Sequence, residues 1–188
     1  MERGDPDVAL MLAFRSGDTG AFDALFRRWT RPVLRYLTRM LRDASAAEEV
    51  AQETFLRVHR ARAEYAPEAR FSTWLYTIAT RLALNELRRR RRGALVPEPE
   101  EGAETRAFAD PAPPPDVQAD LRRRVAGTEE ALAALPERQR AALWLVAVEG
   151  LAYEEAAQAL ETSVASIKSL VHRARCALVD ATKARSTE

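Results

Sequence analysis

The chain has little of what extracellular, membrane or catalytic proteins lean on. Its 188 residues include one cysteine, two histidines and seven glycines. A single thiol, Cys176, excludes an intramolecular disulfide, and with only His59 and His172 beside it there is no cluster spaced to hold zinc. Cys176 falls toward the polar side of its segment, where it would be a reactive thiol at most. The opening MERGDPDVAL has no apolar core that could serve as a signal peptide or a membrane span, so a cytosolic protein with no membrane insertion is expected. No window alternates with period two, which argues against strands. Nothing indicates catalysis, a metal or a cofactor.

What is present is helical periodicity. Asp5 and Pro6 can cap and open a first helix, Pro6–Arg15, and Thr19 can cap a second. Pro32 either kinks that second helix or restarts it, with the pattern continuing to about Leu41. Ser45 and Glu48 have the spacing of a capping box ahead of a long helix. After a loop at 66–70, Ser72 can cap a further helix whose stripe is Leu75, Ile78, Ala79, Leu82 and Leu87. These segments are expected to form one all-helical domain, 5–92.

The stretch Gly93–Asp120 differs in kind. It holds six prolines and seven acids against the single Arg106, so it carries −6 and leaves +7 on the remainder. Too few large apolar residues remain to offset its ordering entropy, and it is expected to be a flexible linker. Helical pattern resumes near Val117. Pro136 opens a segment, Glu137–Glu149, with Leu143, Leu145, Val146 and Val148 toward a core, and Gly150 ends it. The fold class expected is all-α, two small helical domains (5–92 and 121–182) joined by the acidic proline-rich segment.

The second domain ends in a helix-turn-helix pattern. Tyr153–Leu160 forms two turns, Glu161 and Thr162 a turn, and Ser163 an N-cap for a helix from Val164. At 100° per residue Val164, Ile167, Leu170, Val171, Ala174 and Leu178 share one stripe, while Lys168, Ser169, His172 and Arg173 lie on the other side. Ala156 and Leu160 can seal against Ile167 and Leu170, and Ala157 is small enough for a close crossing. A packed pair with a basic outer face suits DNA reading in the major groove.

The stretches AAEEVAQETFLRVHRA at 46–61, FSTWLYTIATRLALNELRR at 71–89, LPERQRAALWLVAVEGLAYEEAAQAL at 135–160 and SIKSLVHRAR at 166–175 together resemble the sigma-70 family, in its two-domain extracytoplasmic-function group. The resemblance implies a factor that binds core RNA polymerase, directs it to promoter DNA and helps melt it, with an anti-sigma factor as a further partner. It implies polymerase contacts from Glu49, Gln52, Glu53 and Leu56, which also recur at helical spacing as a mixed acidic and apolar face. It implies that Phe71–Arg92 opens and reads the −10 element. There Trp74 offers a ring for an unpaired base, the Tyr65–Arg70 loop a pocket, and Arg81, Asn85, Arg88 and Arg89 cations and an amide. Tyr76 is expected in the core.

The −35 element falls to the last helix, with Lys168, Ser169, His172 and Arg173 toward base edges and phosphates and Thr162, Ser163 and Ser166 near the helix N-terminus. Four positions depart from the family's habit: Arg81 stands where asparagine is frequent, Glu161 and Ala165 where glycine is, and Leu170 where arginine is. Glu161 is expected to need a left-handed backbone. A rival reading, a free-standing helix-turn-helix regulator, accounts for 135–178 but leaves the acidic helix and the FSTWLY segment without a role.

Overall fold

The computed structural model describes residues 4–93 and 129–185, without the side chains of residues 182, 184 and 185. Beyond Gly93 the expected linker lies outside the described residues, as does the helical onset near Val117. Among the described residues every regular element is helical. The first group is α1 (Pro6–Arg15), α2 (Thr19–Leu41), α3 (Ala44–Arg60) with a short 3₁₀ turn at Ala61–Ala63, and α4 (Phe71–Gly93). The second has a helical turn at 129–134, then α5 (Glu137–Ala147), α6 (Tyr153–Ala159) and α7 (Val164–Arg185).

Aspartates, rather than the nearby hydroxyl residues, cap the first group. Asp18 accepts from the backbone N–H of Ala21 at 3.3 Å, displacing Thr19 into the helix, and Asp43 accepts from Ala46 at 3.0 Å, displacing Ser45. A carboxylate satisfies the orphan N–H groups and also complements the helix dipole, which a neutral hydroxyl does less well. Asp5 serves two helices. One oxygen accepts from Asp7 N–H at 2.9 Å to cap α1, and the other reaches Phe71 N–H at 3.0 Å, so α4 starts at Phe71 and Ser72 is not its cap. Pro32 lies inside an uninterrupted α2. The buried face around it, including Val33, Tyr36, Leu37 and Met40, holds the helix together through the missing bond.

Buried residues form one contiguous cluster that runs from Met11 through α2, α3 and α4 into α5, α6 and α7. Within it the Tyr36 and Thr80 hydroxyls hydrogen-bond at 2.7 Å, which satisfies both polar ends where no water reaches. Burial pushes the Tyr36 phenol well above the usual tyrosine range, so it stays protonated. In the second group Leu143 and Leu145 are buried, but Val148 is 48% exposed because α5 ends at Ala147. Gly150 then turns the chain at φ 70°.

The two groups pack on one another. Tyr76 of α4 donates to Glu149 at 2.6 Å, Thr73 donates to Glu155 at 3.0 Å, and Arg140 of α5 reaches back to the carbonyl of Met40 at 3.0 Å. Helix α6 lies against α4. Of the expected α4 stripe Leu75 and Ala79 are buried and Ile78, Leu82 and Leu87 half-buried, while Tyr76, Ala83 and Leu84 are buried as well, Tyr76 against the rings of Trp29 and Tyr36 in α2.

Candidate nucleic-acid interface

The last two helices pack as their pattern requires. Ala156, Leu160, Ile167, Leu170, Val171 and Ala174 are buried, and Ala157, 6% exposed, sits between them. Ser163 accepts from Ser166 N–H at 3.1 Å and so caps α7. With that seam closed, Lys168, Ser169, His172 and Arg173 point to solvent, as does Ser163, while Thr162 and Ser166 are half-exposed. Glu161 in the turn has φ 50°, the left-handed conformation expected of the position. A side chain there costs about 1–3 kcal/mol relative to an unstrained turn. Cys176 is exposed on the same helix, its sulfur 3.7 Å from the His172 ring.

On α3, Ala47, Ala51, Thr54, Phe55 and Val58 face inward, so Glu49, Gln52 and Leu56 are exposed and Glu53 is half-exposed. Leu56 is 49% exposed, an apolar centre among polar neighbours. Glu53 accepts from Arg57 at 2.7 Å, one turn on, and this bond holds its carboxyl below the usual range. Phe26 of α2, 42% exposed, lies edge-on to Phe55 with ring centroids 4.8 Å apart. Sequence reasoning missed Phe26, because helical periodicity places it beside the buried stripe and nothing local says the neighbouring helix leaves it uncovered.

The loop between the 3₁₀ turn and α4 borders a cavity of about 440 Å³, lined by Glu64, Tyr65, Glu68, Thr73, Trp74 and Gln158 among others. Trp74 is half-buried, wedged between Tyr65 and Phe71 with centroids 4.8 and 5.9 Å away. Tyr65 itself is 4% exposed, so its ring forms the cavity wall, and its hydroxyl has no partner there. The Tyr65 carbonyl accepts from Arg15 at 2.9 Å, which pins the loop to α1. Tyr76 is fully buried.

Arg70, Arg81, Asn85, Arg88 and Arg89 are all exposed, but most are engaged. Glu86 takes Arg89 through two bonds of 2.8 Å, and Asn85 accepts from Arg88 at 3.2 Å. Arg81 pairs with Glu161 of the helix-turn-helix, and Arg70 lies 3.6 Å from Glu155 of α6. Acids of the second group thus sit on cations of the first. The alternation of charge along α4 alone could not show this, since the partners are about eighty residues away.

No group of three potential metal ligands occurs among the described residues, and no helix there is long and apolar enough to cross a membrane.

Comparison with known proteins gives the family. Residues 25–93 match sigma-70 region 2, and residues 128–178 match sigma-70 region 4. The chain is 34% identical over 181 residues to the RNA polymerase sigma-H factor of Pseudomonas aeruginosa, covering 93% of this chain and 92% of that protein. It is 34% identical over 191 residues to the ECF RNA polymerase sigma factor SigE of Mycolicibacterium smegmatis, covering 100% of this chain and 73% of that one. In fold it is similar to the sigma factor RpoE of Bartonella quintana, solved in complex with the anti-sigma factor NepR, with a TM-score of 0.71 at 22% identity over 86% of this chain and 96% of that chain. Two matched regions in order, and relatives aligned over most of their length, place the chain in the extracytoplasmic-function group of the sigma-70 family, as an RNA polymerase sigma factor.

Proposed function

We propose that the two helical groups divide the work of a sigma factor. Residues 5–92 hold core polymerase and open the −10 element, residues 121–182 read the −35 element, and 93–120 joins them. The observation that carries this reading is the outward face of α7: Lys168, Ser169, His172 and Arg173 are exposed as a set on a helix whose opposite side is sealed. Such a face can enter a major groove, donating to base edges from the two long cations and fixing register through phosphates. The exposed Leu56 among Glu49, Gln52 and Glu53 suits a partner helix of mixed apolar and basic character, as expected for docking on polymerase.

Opening needs no bond chemistry. An unpaired base is trapped by stacking and by a pocket, worth about 1–3 kcal/mol per stacked base. Trp74, beside the 440 Å³ cavity, supplies both. The Glu64 and Glu68 carboxylates at that cavity favour a base that presents an exocyclic amine.

Two promoter elements two helical turns apart lie roughly 70 Å from each other. Helices α4 and α6 are in contact, so the packed form cannot hold both elements, and Arg81 must release Glu161 before it meets DNA. The packed form is therefore a resting state that opens on polymerase. An anti-sigma factor, like that bound to the Bartonella relative, would act inside the cell by favouring the closed or covered state. The test is co-purification with core polymerase followed by run-off transcription from a promoter bearing both elements. A protein that binds promoter DNA alone and never retains polymerase would be a free-standing regulator instead.

A further inference from the structure

Between the two groups, away from the −10 cavity and the −35 face, lies a second cavity of about 610 Å³. Among the described residues five arginines line it, Arg42, Arg88, Arg91, Arg138 and Arg140, against one acid, Glu137. They come from the end of α2, the end of α4 and the start of α5, so only the folded packing brings them together.

Among the described residues Glu137 is spoken for by Arg91. Arg138 donates to the carbonyl of Leu160 at 2.9 Å and Arg88 to an amide oxygen, neither of which neutralises a charge. The Arg42 guanidinium has no hydrogen-bond acceptor among the described residues, its backbone N–H alone being bonded, to the Thr38 carbonyl. Arg140 is the telling case. It is 94% buried (6% exposed), spends two N–H groups on the carbonyls of Ala133 and Met40 at 3.0 Å each, and forms no ion pair with a described carboxylate. Its Nε–H is buried with no acceptor. A guanidinium withdrawn from water without a counter-ion is costly, and burial pushes its proton affinity down, opposed by Glu137 and aided by Arg42.

We propose that this cavity is a binding site for a polyphosphate group, a diphosphate or longer chain, held by Arg42, Arg88, Arg138 and Arg140. Guanidinium forks match phosphate oxygens in pairs, and several cations in one cavity without carboxylate partners among the described residues call for several negative charges. Among the described residues no aromatic side chain lines the wall, so a nucleoside attached to the phosphates would gain little from stacking there. The cavity exists only where α2 and α4 meet α5, so a bound polyphosphate holds the packed form closed.

The test is calorimetric titration of the full-length protein with inorganic tripolyphosphate and with ATP, at fixed ionic strength near physiological. Both are expected to bind at one site with affinities within about threefold of each other. Arg42→Asn removes a cation while keeping a residue that accepts the left-handed backbone found there, φ 56°, and should weaken binding about tenfold or more. Arg92→Gln removes an exposed cation outside the cavity and should leave the affinity unchanged. Should Arg42→Asn lose its helical signal, Arg138→Gln is read in its place. Equal weakening in Arg92→Gln would show diffuse attraction to the arginine-rich end of α4 and overturn the site. So would the absence of any binding up to millimolar tripolyphosphate, or ATP binding tenfold better than tripolyphosphate, which would mean that the base is read.

Discussion

Tyr76 donates a 2.6 Å hydrogen bond to Glu149, and that carboxylate also accepts from Trp144 at 2.9 Å and faces Arg35 at 3.3 Å. One acid thus joins α2 and α4 to the end of α5. Burial, then the bond to Glu149, pushes the Tyr76 phenol well above the usual tyrosine range, so it remains a donor throughout the working pH. Replacing the acid, Glu149→Ala, leaves two buried donors unmet at about 1–3 kcal/mol each. The variant is expected to favour the open form, seen as a larger radius of gyration by small-angle scattering. An unchanged radius would mean that the apolar contacts between α4 and α6 hold the groups together unaided.

Polymerase docking should depend on Leu56. It is half exposed, so Leu56→Glu costs the fold less than about 0.5 kcal/mol while placing a charge at the centre of the docking face. Loss of core binding with an unchanged melting temperature is the expected result in a pull-down paired with thermal melting. Retained binding would move the docking surface elsewhere, with the exposed ring of Phe26 the next position to change.

Trp74 both packs and offers a ring, and the two roles separate experimentally. Trp74→Ala should reduce open-complex formation on duplex promoters by about tenfold, since a stacked base is worth about 1–3 kcal/mol, and much less on a template that is already melted. Equal losses on both templates would show that the ring only supports Tyr65 and Phe71.

Arg173 is exposed, its Nε only 3.4 Å from the Ser169 carbonyl one turn back. If it reads a base edge, Arg173→Ala narrows the difference between −35 variants by about 1–3 kcal/mol in competition binding. A uniform loss across all variants would identify a phosphate contact and pass base reading to Ser169 or His172.

Acid should loosen the junction of α3 and α4. Hydrogen bonds from Arg89, then Arg90, hold Glu86 at about 2, below its ordinary 4.5, and the Ala46 backbone N–H, with Arg90, lowers Asp43 from 3.8. Both carboxyls are more acidic folded than unfolded, so the stability they add is complete above about pH 4.5 and drains away as pH falls toward about 2. Urea melts between pH 7 and 3 should show this slope, reduced in Glu86→Gln. An undiminished slope in the variant would assign the acid sensitivity to other carboxylates.

Much of this protein was written in local pattern. The stripe Val164, Ile167, Leu170, Val171 and Ala174 determined which side of α7 is sealed, because side chains 3.6 residues apart share a face whatever surrounds them. The left-handed turn at Glu161 was legible only through the resemblance, which puts glycine at that position. The cap choices at Asp18 and Asp43 were narrower decisions, between neighbouring residues that could each accept the same N–H. Tertiary structure alone decided which side chains are paired across elements. Arg81 meets Glu161, Tyr76 meets Glu149 and Arg140 meets Met40 only because α4 and α5 pack against elements up to a hundred positions away, and sequence periodicity carries no information about a partner outside its own helix.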